Sequence, residues 1–208
     1  MYLPLSFVAL ALLTNACGKE QARAEGAEAA SGADANMQSL TGAGATFPNP
    51  IYQKWSASYF EKTKVKINYQ SIGSGGGIKQ FSEGTVDFGA TDGPMTQEQL
   101  NTVQGQVLHL PTVLGADVVT YNLKAIGTTK LKLDGPTIAG VFLGKIVKWN
   151  DRAIAATNPG IKLPAQDIIV VHRSDGSGTT YIWTDYLSKV SPDWKQKVGN
   201  ANSVNWPV

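Results

Sequence analysis

The chain has 208 residues, of which 42% are hydrophobic and 16% charged, a composition typical of a folded globular protein with one large or two small domains. The formal net charge of +2 is nearly neutral, which excludes the broad basic surface of a nucleic-acid-binding protein. The 22 glycines occur in clusters, and clustered glycine is typical of tight turns and of backbone that approaches another group closely.

The N-terminal segment, residues 1–17, ends at the only cysteine of the chain, Cys17. Its apolar run "LPLSFVALALL" is short for a membrane-spanning helix and is followed by small residues. This pattern predicts a secretory signal, and the cysteine at its end resembles the lipid-modified cysteine of bacterial lipoproteins. A plain cleaved signal with an incidental cysteine is the alternative. Both interpretations predict export, the first with a lipid anchor at Cys17 in the membrane, and a single cysteine allows no disulfide bond within the chain.

Residues 18–38 form a predicted flexible tether, because "GKEQARAEGAEAASGADANMQ" is small and polar with no apolar period. Such a segment cannot bury enough apolar surface to offset the entropy of ordering it. The pattern of strands and helices begins after it.

The first helix is predicted after the turn "TGAGATFP". Pro48 and Pro50 suit the first turn of a helix, where the backbone amides have no intrahelical partner. Ile51, Trp55 and Tyr59 then recur at four-residue spacing, which places them on one face. We therefore expect a glycine turn that leads directly into a helix.

The remaining elements alternate between strand and helix patterns. In the first half, "KVKINYQSI" predicts a strand, "GSGGGIKQFSEG" a glycine turn with a short helix, "VDFGATD" a buried strand that ends at Asp92, and residues 106–123 a strand-rich stretch. In the second half, "GPTIAGVFLGKIVKWNDRAI" predicts helices with turn breaks, "DIIVVHRSD" a strand and "TTYIWTDYLSKV" a helix. This alternation predicts an α/β fold with a largely parallel sheet.

Three predicted helices begin at a turn rich in Gly, Ser and Thr, in "GAGATFP", "GSGGG" and "DGSGTT". The N-terminus of a helix carries unpaired amide donors and about half a positive charge. Glycines in front of it let an oxyanion reach those donors. Each turn alone is also an ordinary strand-to-helix connection, but three of them, with Arg173 beside the last, predict an anion-binding site.

The motifs of other classes of binding or catalytic site do not match the sequence in detail. Lys79 is followed by glutamine, so the second turn is not a nucleotide phosphate loop. His109 and His172 are the only histidines, too few for a His-based zinc site, and no metal or organic cofactor is expected. Neither Ser74 nor Ser177 lies in the G-x-S-x-G motif of serine hydrolases. A phosphoester or serine hydrolase that uses one of these serines stays open, because a base distant in sequence can be close in space.

Several long motifs occur in the order found in the periplasmic phosphate-binding proteins of the phosphate-specific ABC transporter, and the chain resembles that family from about residue 40 to residue 207. The motifs are "LTGAGATFPNPIYQKW", "INYQSIGSGGGIKQF", "VDFGATDGPM", "FLGKIVKWND" and "RSDGSGTTYIWTDYLSKV". The resemblance implies high-affinity binding of inorganic phosphate, delivery to a membrane permease, and no enzymatic activity.

The resemblance also implies a fold. The family has two α/β lobes of the type II-like periplasmic-binding-protein kind, with the ligand in the cleft between them. The first lobe is expected at residues 39–120 and the second at residues 121–208. Because chains of the family continue well beyond this C-terminus, we expect the second lobe to be truncated and incomplete.

The resemblance assigns the phosphate ligands to four segments, one of them the end of the "VDFGATD" strand and three of them the glycine turns. The expected ligand residues are Thr46, Phe47, Ser74, Asp92, Arg173, Ser177, Gly178 and Thr179. Gly75 is expected to support the second turn. Asp175 is expected to orient the Arg173 guanidinium.

Asp92 is unusual because a carboxylate in an anion site repels the ligand unless the ligand brings a proton. Phosphate near neutral pH carries at least one proton, whereas sulfate carries none. A polar mismatch of this kind can discriminate between ligands by ~10⁴–10⁵-fold. Asp92 is therefore predicted to select phosphate over sulfate. A role for Asp92 as a helix or turn cap is the alternative, and a site for another oxyanion also stays open.

Overall fold

The computed structural model describes residues 38–208. The predicted signal, Cys17 and all but the last residue of the predicted tether therefore lie outside the described residues. None of the helices within residues 38–208 combines the length and the hydrophobicity needed to cross a bilayer.

A three-stranded parallel sheet forms the first half of the described chain. Its strands are β1 (Ser39–Gly44), β2 (Lys66–Ser71) and β3 (Phe88–Ala90), in the order β2-β1-β3. The central strand β1 pairs with β2 over its whole length and with β3 over its last three residues. The predicted parallel sheet is confirmed.

Strand β1 itself has no counterpart in the predicted elements. Its sequence "SLTGAG" lacks the run of β-branched and aromatic residues that marks a strand, and it becomes one because it is paired on both sides. Its small residues have a packing role. A Cβ on Gly42 would lie 2.2 Å from the Phe88 ring, and one on Gly77 of the following helix would lie 2.4 Å from the Gly44 Cα.

Two helices connect the strands, and a third short one follows the sheet. They are α1 (Asn49–Thr63), α2 (Ser74–Ser82) and α3 (Gln97–Leu100). Helix α1 begins with a proline in its first turn, as predicted, and ends where Lys64 adopts a left-handed conformation. The predicted face of α1 is only partly covered, because Trp55 and Tyr59 are each nearly half exposed.

The second half of the described chain is helical. After a 3₁₀ turn (Lys124–Ile126) come α4 (Gly135–Phe142), α5 (Arg152–Thr157), α6 (Gly178–Val190) and α7 (Pro192–Lys197). Each of these four α-helices begins at an Asp or Ser whose side chain accepts a hydrogen bond from a backbone amide of the first turn. Leu187 and Trp194, both fully buried, form the centre of a core between α4, α6 and α7.

Two predicted strand segments are wrong. Residues 106–123 contain no strand, and residues 167–175 contribute only an isolated bridge between Asp167 and Lys148. Their apolar side chains face outward, since Leu114 is 95% exposed and Val171 is 87% exposed. A strand needs a neighbour for its backbone hydrogen bonds, and within residues 38–208 no strand lies beside these segments. The predicted lobe boundary near residue 120 stays a prediction.

Candidate anion-binding site

The second and the last glycine turns touch through their backbones. The Gly75 amide donates a hydrogen bond to the Gly176 carbonyl at 2.9 Å. A Cβ on Gly75 would lie 2.9 Å from the Gly176 Cα, and a Cβ on Gly73 would lie 2.8 Å from the Gly176 carbonyl oxygen. Only glycine at both places permits this approach, so the turns that begin α2 and α6 form one junction.

The first glycine turn is hydrogen-bonded to the same junction. The Gly44 carbonyl accepts from the amides of Ile72 and Gly73, and the Ala45 amide donates to the Ala90 carbonyl at 2.9 Å. Because the carboxyl ends of parallel strands lie at one edge of a sheet, these bonds bring the first turn, the second turn and the end of β3 together. The turn that carries Thr46 and Phe47 therefore starts beside the junction.

Ser74 and Asp92 meet at this junction. Ser74 is fully buried, and its hydroxyl accepts a hydrogen bond from the Asp92 amide at 3.3 Å. A hydroxyl that accepts one bond keeps its own proton for another acceptor. A Cβ on Gly178 would lie 2.3 Å from the Ser74 Oγ and 2.5 Å from the Asp92 Oδ2. The Asp92 carboxylate thus stands directly against the first residue of α6.

The electrostatic environment of Asp92 combines two opposing influences. Partial burial raises its pKa above the ordinary value, while the Arg173 guanidinium and the Thr179 backbone amide lower it. Burial is the larger influence. The carboxylate therefore lies among donors and near a cation, but its charged form is poorly solvated, and a partner that shares a proton with it would relieve that cost.

Arg173 and Asp175 form a two-pronged ion pair. The Arg173 Nε donates to the Asp175 Oδ1 at 2.6 Å, and the Nη2 donates to the Oδ2 at 2.5 Å. This pairing raises the pKa of Arg173 and lowers that of Asp175. A guanidinium has five N–H donors, so the pair fixes the orientation of the group and leaves three donors for other acceptors.

The start of α6 contributes further donors. Ser177 is buried, and its hydroxyl accepts a hydrogen bond from the Thr180 amide, which makes it the N-cap of the helix. The Ser177 amide donates to the Asn202 carbonyl at 2.9 Å. Within residues 38–208 the amides of Gly178 and Thr179 have no backbone acceptor, and Thr179 is exposed.

Thr46 and Phe47 are both exposed, and the Phe47 ring packs on another segment of the chain. A Cβ on Gly115 would lie 2.4 Å from the Phe47 ring, so the ring covers the backbone there. The same segment is tied to α1 by a 2.7 Å hydrogen bond between the hydroxyls of Tyr52 and Thr112. Residues 112–115 therefore lie against the first turn.

A cavity of about 880 Å³ lies beside the junction rather than within it. Of the predicted ligand residues, Asp92 alone lines it. Its other walls include the aromatic side chains of Tyr52, Trp55, Tyr59, Tyr69 and Phe88. Residues 38–208 contain no cluster of three His, Cys, Asp or Glu side chains placed to hold a metal ion.

Two ionisable residues influenced by Asp92 were not among the predicted site residues. The Tyr69 hydroxyl donates to the Ala45 carbonyl at 2.6 Å, and burial, with Tyr52 and Asp92 nearby, raises the pKa of Tyr69. Partial burial also raises the pKa of Asp117, and the Asp92 charge raises it further. An acidic residue within the apolar run "LPTVLGADVV" is the one clue that the sequence offers for Asp117.

Comparisons with known proteins agree on a family. A profile described as a PBP superfamily domain matches residues 28–203. The phosphate-binding protein PstS of Pasteurella multocida is 56% identical over 171 residues, which are 82% of this chain and 49% of that protein. PstS of Haemophilus influenzae is 55% identical over 172 residues, 83% of this chain and 51% of that protein. The chain thus spans about half the length of the curated relatives it matches.

A solved structure supports the fold. It comes from Clostridium perfringens and is described as a phosphate ABC transporter substrate-binding protein with bound phosphate. It aligns with a TM-score of 0.54 and 21% identity, over 81% of this chain and 70% of that one. At that identity the likeness concerns the fold, and it confirms the predicted α/β periplasmic-binding-protein architecture.

Proposed function

The chain belongs to the PBP superfamily, and we propose that it binds inorganic phosphate at the junction of the glycine turns that begin α1, α2 and α6. The observation that carries this proposal is the backbone contact between Gly75 and Gly176, with Asp92 against Gly178 beside it. Relatives that are 55–56% identical bear the name phosphate-binding protein.

The donors at the junction suit an oxyanion. Transfer of a strongly hydrated anion out of water requires a donor for nearly every lone pair. The free N–H groups of Arg173, the amides of Gly178 and Thr179, and the hydroxyls of Ser74 and Ser177 would supply most of them. Each charge-assisted hydrogen bond contributes about 1.5–3 kcal/mol. Several such bonds offset desolvation and leave the roughly −8 kcal/mol that corresponds to micromolar affinity.

Thr46 and Phe47 would complete the site from the first turn, and Asp92 would accept a hydrogen bond from a protonated phosphate oxygen. A fully deprotonated anion such as sulfate has no proton to offer and would meet the carboxylate with a lone pair. The expected discrimination is ~10⁴–10⁵-fold. Gly75 would support the turn, and Asp175 would hold the guanidinium of Arg173 in place.

The wider role follows from the relatives. A phosphate-binding protein of this superfamily would act outside the cytoplasm, in the periplasm, and deliver its ligand to an ABC permease in the membrane. A lipid on Cys17 would keep the protein near that membrane. Mass measurement of the mature N-terminus tests the lipid, and an unmodified Cys17 or a cleavage site beyond it would contradict the anchor.

Hydrolysis by Ser74 or Ser177 is the competing function. It requires a base within hydrogen-bonding reach of the serine. The His109 Nε2 accepts instead from the Met95 amide at 3.2 Å, and the His172 ring stacks on Trp206 at 4.7 Å. Within residues 38–208 neither histidine forms a hydrogen bond with either serine. This arrangement favours binding without turnover.

Calorimetric titration of the whole chain tests the proposal. Phosphate and arsenate should bind with one-to-one stoichiometry, sulfate should bind far more weakly, and a chromogenic phosphoester should not be turned over. If no phosphate binding is detected at ligand concentrations up to about 1 mM, which corresponds to a binding free energy of about −4 kcal/mol, the proposal is contradicted. Turnover of the phosphoester that is lost in Ser177→Ala or Ser74→Ala would establish the hydrolase instead.

A further inference from the structure

Residues 199–206, "GNANSVNW", run back from the end of α7 to the start of α6, and we call them the return segment. At its beginning, the Trp194 Nε1 donates a hydrogen bond to the Gly199 carbonyl at 2.9 Å. At its end, the Trp206 ring packs against the rings of Trp194 and Phe142. Both ends of the return segment are therefore anchored on the core between α4, α6 and α7.

The middle of the return segment is bonded to the start of α6. The Ser177 amide donates to the Asn202 carbonyl at 2.9 Å. The preceding residue is held by Thr184 of α6, which is fully buried, because the Ala201 amide donates to the Thr184 Oγ1 at 3.2 Å. The same hydroxyl donates to the Thr180 carbonyl at 2.8 Å, which fixes its orientation. Since a planar peptide joins neighbouring residues, Thr184 also sets the position of the Asn202 carbonyl.

The return segment touches the other side of the last glycine turn as well. The Trp206 ring stacks on the His172 ring, with the ring centroids 4.7 Å apart and the ring planes 17° apart. His172 directly precedes Arg173, and its Nδ1 lies 3.1 Å from the Arg173 carbonyl oxygen. The turn at residues 173–176 thus has one contact with the return segment immediately before it and one immediately after it.

The turn at residues 173–176 has few hydrogen bonds of its own. Within residues 38–208, no backbone amide from residue 169 to residue 176 donates to a backbone carbonyl. The Gly176 carbonyl accepts from the Gly75 amide at the junction, and the ion pair of Arg173 with Asp175 is internal to the turn. A surface segment with so few bonds opens at low free energy unless contacts from elsewhere hold it. The return segment provides such contacts on both sides.

We propose that the return segment is a positioning element of the anion site, and that Thr184 and Trp206 are the residues through which it holds the turn that carries Arg173. This inference rests on the proposed function. Thr184 acts through the Asn202 carbonyl, and Trp206 acts through the His172 ring. When only a fraction of the molecules has the binding conformation, the apparent affinity falls by that fraction. Release of the turn therefore weakens phosphate binding although every ligand residue is retained.

Two substitutions at Thr184 separate its hydroxyl from its packing. Thr184→Val keeps the shape of the side chain but removes the acceptor of the Ala201 amide, whereas Thr184→Ser keeps the acceptor and loses a buried methyl group. In Thr184→Val without ligand, the Ser177 amide should exchange its hydrogen about tenfold faster than in the unaltered chain, and phosphate should bind about tenfold more weakly. Thr184→Ser should retain both values. Amide hydrogen exchange followed by NMR and calorimetric titration measure the two effects.

Thr137→Val is the matched control, because Thr137 is also buried and lies in α4, away from the turn. It should change neither the exchange of the Ser177 amide nor the phosphate affinity. His172→Ala tests the second contact from an exposed side chain, and it replaces Thr184→Val should that variant fail to fold. It should weaken phosphate binding about threefold, and His172→Phe, which keeps a flat ring on Trp206, should restore the affinity.

Faster exchange in Thr184→Val with unchanged phosphate affinity would overturn the inference and leave the proposed function standing. Unchanged exchange would have the same consequence, because Thr184 would then not hold the Asn202 carbonyl. An equal loss of affinity in Thr184→Val and Thr184→Ser would assign the effect to packing and also contradict the inference. If the unaltered chain binds no phosphate, the proposed function fails, and the inference fails with it.

Discussion

The N-termini of α2 and α6 meet at one junction, but their amide donors are used differently. At α2 the Gly75 amide donates to the Gly176 carbonyl, so this donor joins the two turns. At α6 the amides of Gly178 and Thr179 have no backbone acceptor within residues 38–208, and they lie beside Asp92. The difference agrees with the proposed function, in which α2 builds the junction and α6 offers donors to the ligand.

The capping of the two helices supports the same distinction. Helix α2 begins after Gly73, which has a positive φ of 83° and no side chain to cap with. Helix α6 begins after Ser177, whose hydroxyl caps the helix. Glycine at the start of α2 permits the close approach of two backbones, and Ser177 at the start of α6 places a hydroxyl proton next to the amides of the first turn.

Gly75→Ala should have the largest effect, because it breaks the junction from the α2 side. Its Cβ would lie 2.9 Å from the Gly176 Cα, and backbone cannot move aside as a side chain can. We expect a loss of about 1–3 kcal/mol in the free energy of unfolding, measured with urea, and no detectable phosphate binding.

Gly76→Ala is the matched control for this change. The nearest atoms to its Cβ would be those of the Ile72 side chain, at 2.9 Å, and that side chain can adopt another rotamer. It should keep phosphate affinity and remain close to the unaltered chain in stability. Equal loss of binding in both variants would show that helix α2, rather than the junction, is sensitive to substitution.

Asp92→Asn should have the next largest effect, on selectivity at the α6 side. An asparagine amide can donate to a bare oxygen. The preference for phosphate over sulfate, expected to be ~10⁴–10⁵-fold in the unaltered chain, should therefore fall by roughly a hundredfold or more. Asp185→Asn, which removes an exposed carboxylate paired with Lys189, is the control. An unchanged preference in Asp92→Asn would contradict the role of Asp92 as a proton acceptor.

The same variant has a predicted pH signature in the ligand-free protein. Because burial raises the pKa of Asp92, its folded state binds a proton more tightly than the unfolded state, and the stability this provides is lost as the pH rises. Asp92→Asn should therefore be more stable than the unaltered chain near neutral pH. The difference should vanish below about pH 4, where the unfolded carboxyl is also protonated. Urea denaturation across this range measures it.

Arg173→Lys should weaken phosphate binding by about ten- to a hundredfold, because lysine retains the charge but cannot hold Asp175 and a ligand with one planar group. Arg152→Lys, at the start of α5, changes the same residue type elsewhere and should have no effect on affinity. Calorimetric titration of both variants measures the difference. If Arg173→Lys and Arg152→Lys bind phosphate with equal affinity, Arg173 has no part in the site.

Ser177→Ala should have the smallest effect, and it separates capping from ligand binding. Loss of the cap should lower the free energy of unfolding by about 1 kcal/mol. Loss of one neutral hydrogen bond to the ligand should lower affinity roughly fivefold. Ser191→Ala removes the cap of α7, where the hydroxyl accepts from the Trp194 amide, and should lower stability equally without a change in affinity. If Ser177→Ala and Ser191→Ala bind phosphate with equal affinity, the role of Ser177 is structural alone.

The sequence predicted the helices and turns well because their signals are local. The proline in the first turn of α1 and the serine that caps α6 are read within a few residues of the helix they begin. The junction was predicted as a convergence of turns, but the backbone contact of Gly75 with Gly176 depends on how the helices pack, and the roles of the site residues remain predictions.

The strands were predicted less well because a strand depends on its partners. Strand β1 was missed, since "SLTGAG" has no strand pattern and is extended only by its two neighbours. Residues 106–123 and 167–175 carry strong apolar patterns, but no strand lies beside them within residues 38–208.

Backbone amide chemical shifts during a phosphate titration test the central claim most directly. The account predicts saturable shifts that are largest for Gly178 and Thr179, smaller for Gly75, whose amide stays bonded to Gly176, and absent when sulfate replaces phosphate. Shifts that leave Gly178 and Thr179 unchanged, or that centre on Trp55 and Tyr59 in the aromatic cavity, would contradict it.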